Sequence, residues 1–156
     1  MTRLGGRSPV GERLVARVPH GHYQTSTLIA AVRLDGACAP WVFAGAMDGE
    51  LFLAWVQRGL APTLQPEDVV IMDNLATHKV AGVRAAIESV GARLLYLPPY
   101  SPDFNPIENL WSKVKQILLR LAPRTNDELL QAAADAFTAI SVADCHGFFL
   151  HAHYAI

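Results

Sequence analysis

Two short apolar runs, "VVIM" ending at Met72 and "LLYL" ending at Leu97, flank a segment whose apolar residues recur at helical spacing. A continuous apolar run of this length marks a strand buried on both faces. Val80, Val83, Ile87 and Val90, with Gly91 as the stop, predict a helix over 77–90. A strand–helix–strand unit of this size closes by a right-handed crossover, making Val69–Met72 and 94–97 adjacent parallel strands.

The flanking segments extend this pattern. Residues 25–34 are apolar and β-branched, Asp35-Gly36 signals a hairpin, and the return strand takes in Pro40 to Phe43. Asp48 can cap a helix with Leu51, Phe52, Trp55 and Val56 on one face, before a loop bounded by Pro62 and Pro66. "PIENLWSKVKQILLR" sets Ile107, Leu110, Trp111, Val114 and Leu118 on one helical face. After Pro123, "TNDELLQAAADAFTAIS" reads as a last helix capped by Thr125 or Asn126. A hairpin followed by alternating helix and parallel strand gives an α/β fold, a mixed sheet flanked by helices. The 156 residues suit one domain, taken as 1–156.

Composition excludes some classes of function. With 51% hydrophobic and 17% charged residues the chain is globular, not disordered. A formal net charge of −1 supplies no overall field for nucleic acid, so any DNA contact needs a local patch. Arg3, Arg7, Arg13 and Arg17, opposed only by Glu12, form one such local excess. Cys38 and Cys145 make neither a CxxC pattern nor a disulfide framework, which fits a reduced cytoplasmic compartment. The N-terminus has no apolar signal region and no run reaches membrane-spanning length, so a membrane partner is not expected.

Two carboxylates carry the chemistry. Asp73 stands at the carboxyl end of its strand, where ligands collect in open α/β sheets. Glu108 follows the second strand and a loop with four prolines between Pro98 and Pro106. Each proline fixes its own φ and holds the preceding residue extended, so this loop loses little entropy in positioning Glu108. If the strands are parallel neighbours, both carboxylates reach the same sheet edge. Hard divalent cations such as Mg²⁺ take one or two carboxylates plus phosphate and water. Two such ions about 4 Å apart assist phosphodiester cleavage.

Local readings stand beside these. Asn105 as N-cap, Pro106 at N1 and Glu108 at N3 would also make a capping box. Asp73-Asn74 is a normal strand-to-turn pair. His78 either enters the helix at the surface or reaches the site. Lys113, Lys115 and Arg120 form either a solvated helix face or a phosphate track. His146, His151 and His153 have no cysteine or carboxylate at a metal-site spacing.

"VVIMDNLATHK" followed by "LLYLPPYSPDFNPIENLWSKVK" resembles the DDE endonuclease domain of mariner-like insertion-sequence transposases. "GRSPVGERLVARVPHGHYQTSTLIAAV" resembles the family's strand region before its second carboxylate, so the likeness covers nearly the whole chain. The resemblance implies an RNase H-like fold, two bound Mg²⁺ or Mn²⁺, and DNA cut and rejoined at transposon ends. It makes Asp73 the second catalytic aspartate and Glu108 the closing glutamate, both as metal ligands. It places Asn74, His78 and Asn105 in support and Lys79, Lys113 and Lys115 toward DNA.

The chain departs from the pattern in one respect. The family's first aspartate lies in an opening strand upstream of "GRSPVGER", and here Met1 comes just before that segment. Asp35, in a hairpin turn, and Asp48, at a helix cap, are no replacement. The family's DNA-binding helix-turn-helix region does not precede the domain either. The expectation is therefore a first strand missing between the hairpin and the strand ending at Asp73. Such a chain would self-associate and would depend on an upstream fragment or full-length transposase. By itself it would bind one divalent ion weakly and leave DNA uncut. The alternatives are an inactive fragment that only binds DNA or its full-length relative, and another RNase H-like nuclease such as an integrase.

Overall fold

Alternation along the first hairpin organises the layers of this computed structural model, which describes residues 6–15 and 25–156. Arg3 and Arg17 of the basic stretch lie outside the described residues, and Arg7 and Arg13 are exposed. Strands β1 (Ser26–Arg33) and β2 (Gly36–Ala44) pair antiparallel through the Asp35-Gly36 turn. Ile29 and Ala31 of β1 pack into one apolar core, and Leu28 and Val32 into a second on the opposite face. The hairpin is thus a layer between two cores, with helices on both sides.

A bulge lets β2 serve both. Ile29 pairs with Trp41 but Ala31 with Cys38, so two residues of β2 stand opposite Ala30. Ala39 takes φ 52° there, and its carbonyl accepts the Trp55 indole N–H at 2.8 Å. The extra residue switches the side-chain alternation. Ala37 therefore faces one core while Ala39 and Trp41 face the other.

Helix α1 (Gly49–Trp55) starts as expected, the Asp48 carboxylate accepting the Leu51 N–H at 2.8 Å. It continues as a π turn (Val56–Leu60) and a short 3₁₀ turn (Ala61–Thr63). Phe52, Trp55 and Val56 are buried, whereas Leu51, expected on the same face, is exposed. Strands β3 (Val69–Met72) and β4 (Arg93–Tyr96) form the expected parallel pair, Val69 opposite Arg93 and Met72 opposite Tyr96.

The crossover is not the single helix expected over 77–90. A 3₁₀ turn (Ala76–Lys79) is followed by Gly82 at φ 99°, and only Val83–Glu88 is α-helical, as α2. That backbone conformation suits glycine and breaks a helix. Nor are the strands buried on both faces. Val69 and Leu95 are exposed, and of these two strands only Met72 and Leu94 are fully buried, with Val70 and Tyr96 packed half-buried against the same core. The reason is the sheet. β1–β2 and β3–β4 are two separate two-stranded sheets, with no hydrogen-bonded ladder between β1 and β3. A bidentate pair joins them instead: the Arg33 guanidinium donates to both Asp68 oxygens at 2.7 and 3.2 Å.

Helices α3 (Ile107–Leu121), α4 (Asn126–Thr138) and α5 (Val142–His151) cover the other face of the hairpin. Leu110, Val114, Ile117 and Leu118 are the buried stripe of α3. Ile107 and Trp111 flank it half-buried. Thr125 and Glu128 close a capping box on α4. Helix α5, which periodicity did not announce, opens with a second capping box, Ser141 with Asp144. No helix among the described residues is long and apolar enough to cross a membrane.

The joint between α3 and α5 yields a pH prediction. Lys113 pairs with Asp144, which also accepts the Ser141 hydroxyl and N–H at 2.7 and 2.8 Å. These partners, Lys113 first, lower the Asp144 carboxyl from 3.8 to about 2. A carboxylate with a depressed folded pKa stabilises the fold above its unfolded pKa and loses that contribution as pH falls. Thermal melts should therefore show a loss between about pH 4 and pH 2 that Asp144→Asn removes. Ser141→Ala, lacking the cap oxygen, should cost about 1 kcal/mol at neutral pH in a denaturant titration.

Candidate active site

β3 delivers Asp73 as its ladder ends. The last parallel hydrogen bond, Leu97 N–H to the Met72 carbonyl at 2.8 Å, lies just before it. Asp73 Oδ1 accepts the Leu75 N–H at 3.2 Å, turning the chain away from the sheet. His78 Nδ1 lies 2.6 Å from the same oxygen, yet Nδ1 lacks an aligned hydrogen-bond partner. The contact is therefore one of proximity, not a well-directed N–H···O bond. Asp73 Oδ2 accepts no hydrogen bond among the described residues.

His78 is held by two aromatic residues. Its ring stacks on Phe52 at 4.4 Å between centroids, and its carbonyl accepts the Tyr96 hydroxyl at 2.8 Å. Its side chain is 20% exposed, so it reaches the site and is not a free surface residue. Lys79 turns outward, its ammonium 5.6 Å from the Tyr96 ring centroid, in cation–π range. Arg84 approaches the same ring at 5.8 Å.

The proline-rich loop carries Glu108 to a cavity that Asp73 also lines. Asp73, His78, Asn105 and Glu108 all line one cavity of about 730 Å³. The capping box considered for Glu108 does not form. Pro106 takes the N-cap position of α3 without a side-chain hydrogen bond. Asn105 Oδ1 accepts instead from the Ile107 N–H at 3.4 Å. Glu108 is exposed, and its carboxylate has no hydrogen-bond partner among the described residues. The loop is fixed from the C-terminus: the Tyr154 hydroxyl donates to the Phe104 carbonyl at 3.0 Å, and His153 meets the Phe104 ring edge-on at 6.0 Å. Sequence reasoning missed this brace because it spans 50 residues.

The donor set bears directly on metal binding. Asp73 and Glu108 offer unengaged carboxylate oxygens, and Asn74 Oδ1 is buried with no hydrogen-bond partner. The two carboxylates are hard oxygen donors of the kind that Mg²⁺ or Mn²⁺ takes, but Asn74 does not line the cavity. Among the described residues, no three of the types His, Cys, Asp and Glu converge on one point. The set is thus short of a two-ion centre. His146 and His151 are exposed on α5 and join no metal cluster. Of the lysines considered for DNA, Lys113 is committed to Asp144, while Lys79 and Lys115 are exposed.

Comparison with known proteins supplies the family. The DDE superfamily endonuclease family matches residues 1–130. No curated protein matches the chain. Among solved structures, the Mos1 strand transfer complex superposes with a TM-score of 0.73 at 15% identity, covering 98% of this chain and 46% of that one. The Mos1 mariner paired-end complex with Mn gives 0.68 at 16% identity, covering 96% and 46%. The catalytic domain of Mos1 mariner transposase gives 0.65 at 15% identity, covering 83% and 74%. This chain thus spans about half the length of the chains in those complexes. At these identities the superpositions establish the fold, an RNase H-like α/β arrangement, and the sequence match establishes the rest: the chain belongs to the DDE superfamily endonuclease family.

Proposed function

We propose that this chain is the catalytic module of a transposase, acting on transposon-end DNA with Mg²⁺ or Mn²⁺, with 1–156 as one domain. The observation that carries the reading is that Asp73 and Glu108, with 34 residues between them, line one cavity, neither carboxylate fully engaged within the fold. A divalent ion bound there would stabilise charge on the leaving oxygen and ready the attacking one for cleavage and strand transfer. Asp73 and Glu108 would hold it. His78 steadies Asp73 from the protein side, and Asn105 shapes the turn before Glu108. This activity places the protein with DNA, in a cytoplasmic, nucleoid-associated setting.

One observation favours a second reading for the chain acting alone. With no third carboxylate or histidine converging among the described residues, it would bind DNA or full-length transposase without cutting.

Two experiments separate these readings. Mn²⁺ titration followed by electron paramagnetic resonance should find one weak site, lost in Asp73→Asn and in Glu108→Gln. Glu108→Gln should keep stability within about 0.5 kcal/mol, as expected for an exposed polar position. Purified chain should leave labelled DNA uncut with either metal. Robust cleavage abolished by Asp73→Ala would instead show that another residue completes the centre. Absence of any Asp73-dependent metal binding would overturn the catalytic reading.

The lysines divide by their partners. Lys79→Ala and Lys115→Ala should each weaken DNA binding across sequences and reduce the salt slope by about 1. Lys113→Ala should lower the melting temperature and leave that slope unchanged. Fluorescence anisotropy over a salt series measures both.

A further inference from the structure

Two cations gather on the Tyr96 ring. The Lys79 ammonium lies 5.6 Å and the Arg84 guanidinium carbon 5.8 Å from its centroid. Both side chains are exposed. Among the described residues, the only carboxylate paired with either is Glu88, 3.0 Å from Arg84 Nη1. The same Nη1 donates to the Leu94 carbonyl at 3.3 Å. Arg84 Nη2 and Nε, and the Lys79 ammonium, have no hydrogen-bond or ion-pair partner among the described residues. A guanidinium carries five donors in a planar fork that matches two phosphate oxygens, and most of this fork is unused.

The fold sets this pair beside the strand end that carries Asp73. Tyr96 closes β4 in register with Met72, the residue before Asp73. Its hydroxyl donates to the His78 carbonyl, and Lys79 follows His78 directly. Arg84 comes from α2. The Arg93 and Leu97 N–H groups donate toward β3, so by strand alternation the Leu94 carbonyl faces the open edge of β4. The guanidinium is therefore anchored on that edge before any ligand arrives, which lowers the entropy lost on binding. An arginine there also discourages edge-to-edge pairing. That role needs only the Leu94 contact and does not account for a second, unpaired cation on the same ring.

We propose that Lys79 and Arg84, seated on the Tyr96 ring, form a subsite for the phosphate backbone of DNA beside Asp73. DNA as the partner rests on the transposase reading, which the subsite deepens by assigning Arg84 and Tyr96 a place in substrate binding. Two cations with free donors on one surface suit a polyanion that carries a charge at every step. Contacts of this kind fix register and orientation and read no sequence. They hold the backbone at the carboxyl ends of β3 and β4, next to the cavity lined by Asp73 and Glu108. Glu88 competes with the phosphate for Arg84 and so weakens the subsite.

The test uses the intact chain and a fluorescein-labelled DNA duplex of arbitrary sequence, with anisotropy read over a salt series. Arg84→Ala should lower the salt slope by about 1. Glu88→Gln, which releases Arg84, should tighten binding about threefold, the order of one exposed ion pair. That gain should vanish when Glu88→Gln is combined with Arg84→Ala. Asp127→Asn, at an exposed carboxylate on α4, should not reproduce it. An edge-covering role alone predicts no gain from Glu88→Gln. If Arg84→Ala unfolds the chain, Glu88→Gln against Asp127→Asn still decides. An unchanged slope in Arg84→Ala, a gain that survives loss of Arg84, equal competition by polyglutamate, or no DNA binding by the unaltered chain would overturn the proposal. Mn²⁺ titration separates it from the catalytic reading. Asp73-dependent Mn²⁺ binding without an Arg84 effect removes the subsite alone, and an Arg84 effect without Asp73-dependent Mn²⁺ binding removes the catalytic reading alone.

Discussion

The Arg33–Asp68 pair is the joint on which the relation between the two sheets depends. No backbone ladder connects them, so their relative setting rests on this fork and on the side chains packed above and below. Asp68 does two things at once. Besides taking both guanidinium nitrogens, its Oδ2 accepts the Gln65 N–H at 2.8 Å, closing the turn that feeds β3. The guanidinium, followed by that backbone bond, pulls the Asp68 carboxyl below the usual carboxylate range. A planar bidentate fork constrains angle as well as distance, which a lysine could not do. Because it ties the end of β1 to the start of β3, it leaves the carboxyl end of β3 open, where Asp73 stands.

What could be read from the sequence follows from what periodicity encodes. The hairpin turn, both parallel strands, α3 and α4 appeared because their signals are local: Asp35-Gly36, two apolar runs, a helical stripe and a Thr-x-x-Glu cap. The broken crossover did not, because Val80, Val83, Ile87 and Val90 keep helical spacing across a Gly82 that the backbone uses to turn. The exposure of Val69 and Leu95 was hidden for a different reason. A short apolar run shows that a strand can be buried on both faces, not that the sheet supplies the neighbours to bury it. Helix α5 was obscured by the histidines of "CHGFFLHAHY", while its clear start signal, Ser141 with Asp144 three residues on, was local and legible.

The site divides along the same line. Asp73 and Glu108 were evident from a strand end and a stiff loop, and the fold sets both on one cavity. The supports were not, because they are tertiary: Phe52 from α1 stacks on His78, and Tyr96 from β4 ties its backbone. The ion pair of Lys113 was hidden for that reason too. On α3 alone it belongs to a basic face with Lys115. Its partner Asp144 arrives only when α5 packs back.

The loop before α3 shows how the fold prepares a carboxylate without consuming it. A glutamate in the first turn of a helix ordinarily finds a backbone N–H to accept, and that bond would compete with any external ligand. Here Pro106 occupies the N-cap position and brings no N–H, and Asn105 turns its oxygen to Ile107. Glu108 is left without an internal partner at the helix start. Its position is set from outside the helix, by prolines that fix φ and by Tyr154 and His153 gripping Phe104 four residues upstream. The ordering entropy of the loop is therefore lost on folding, and the Glu108 carboxylate is held in place before any ligand arrives.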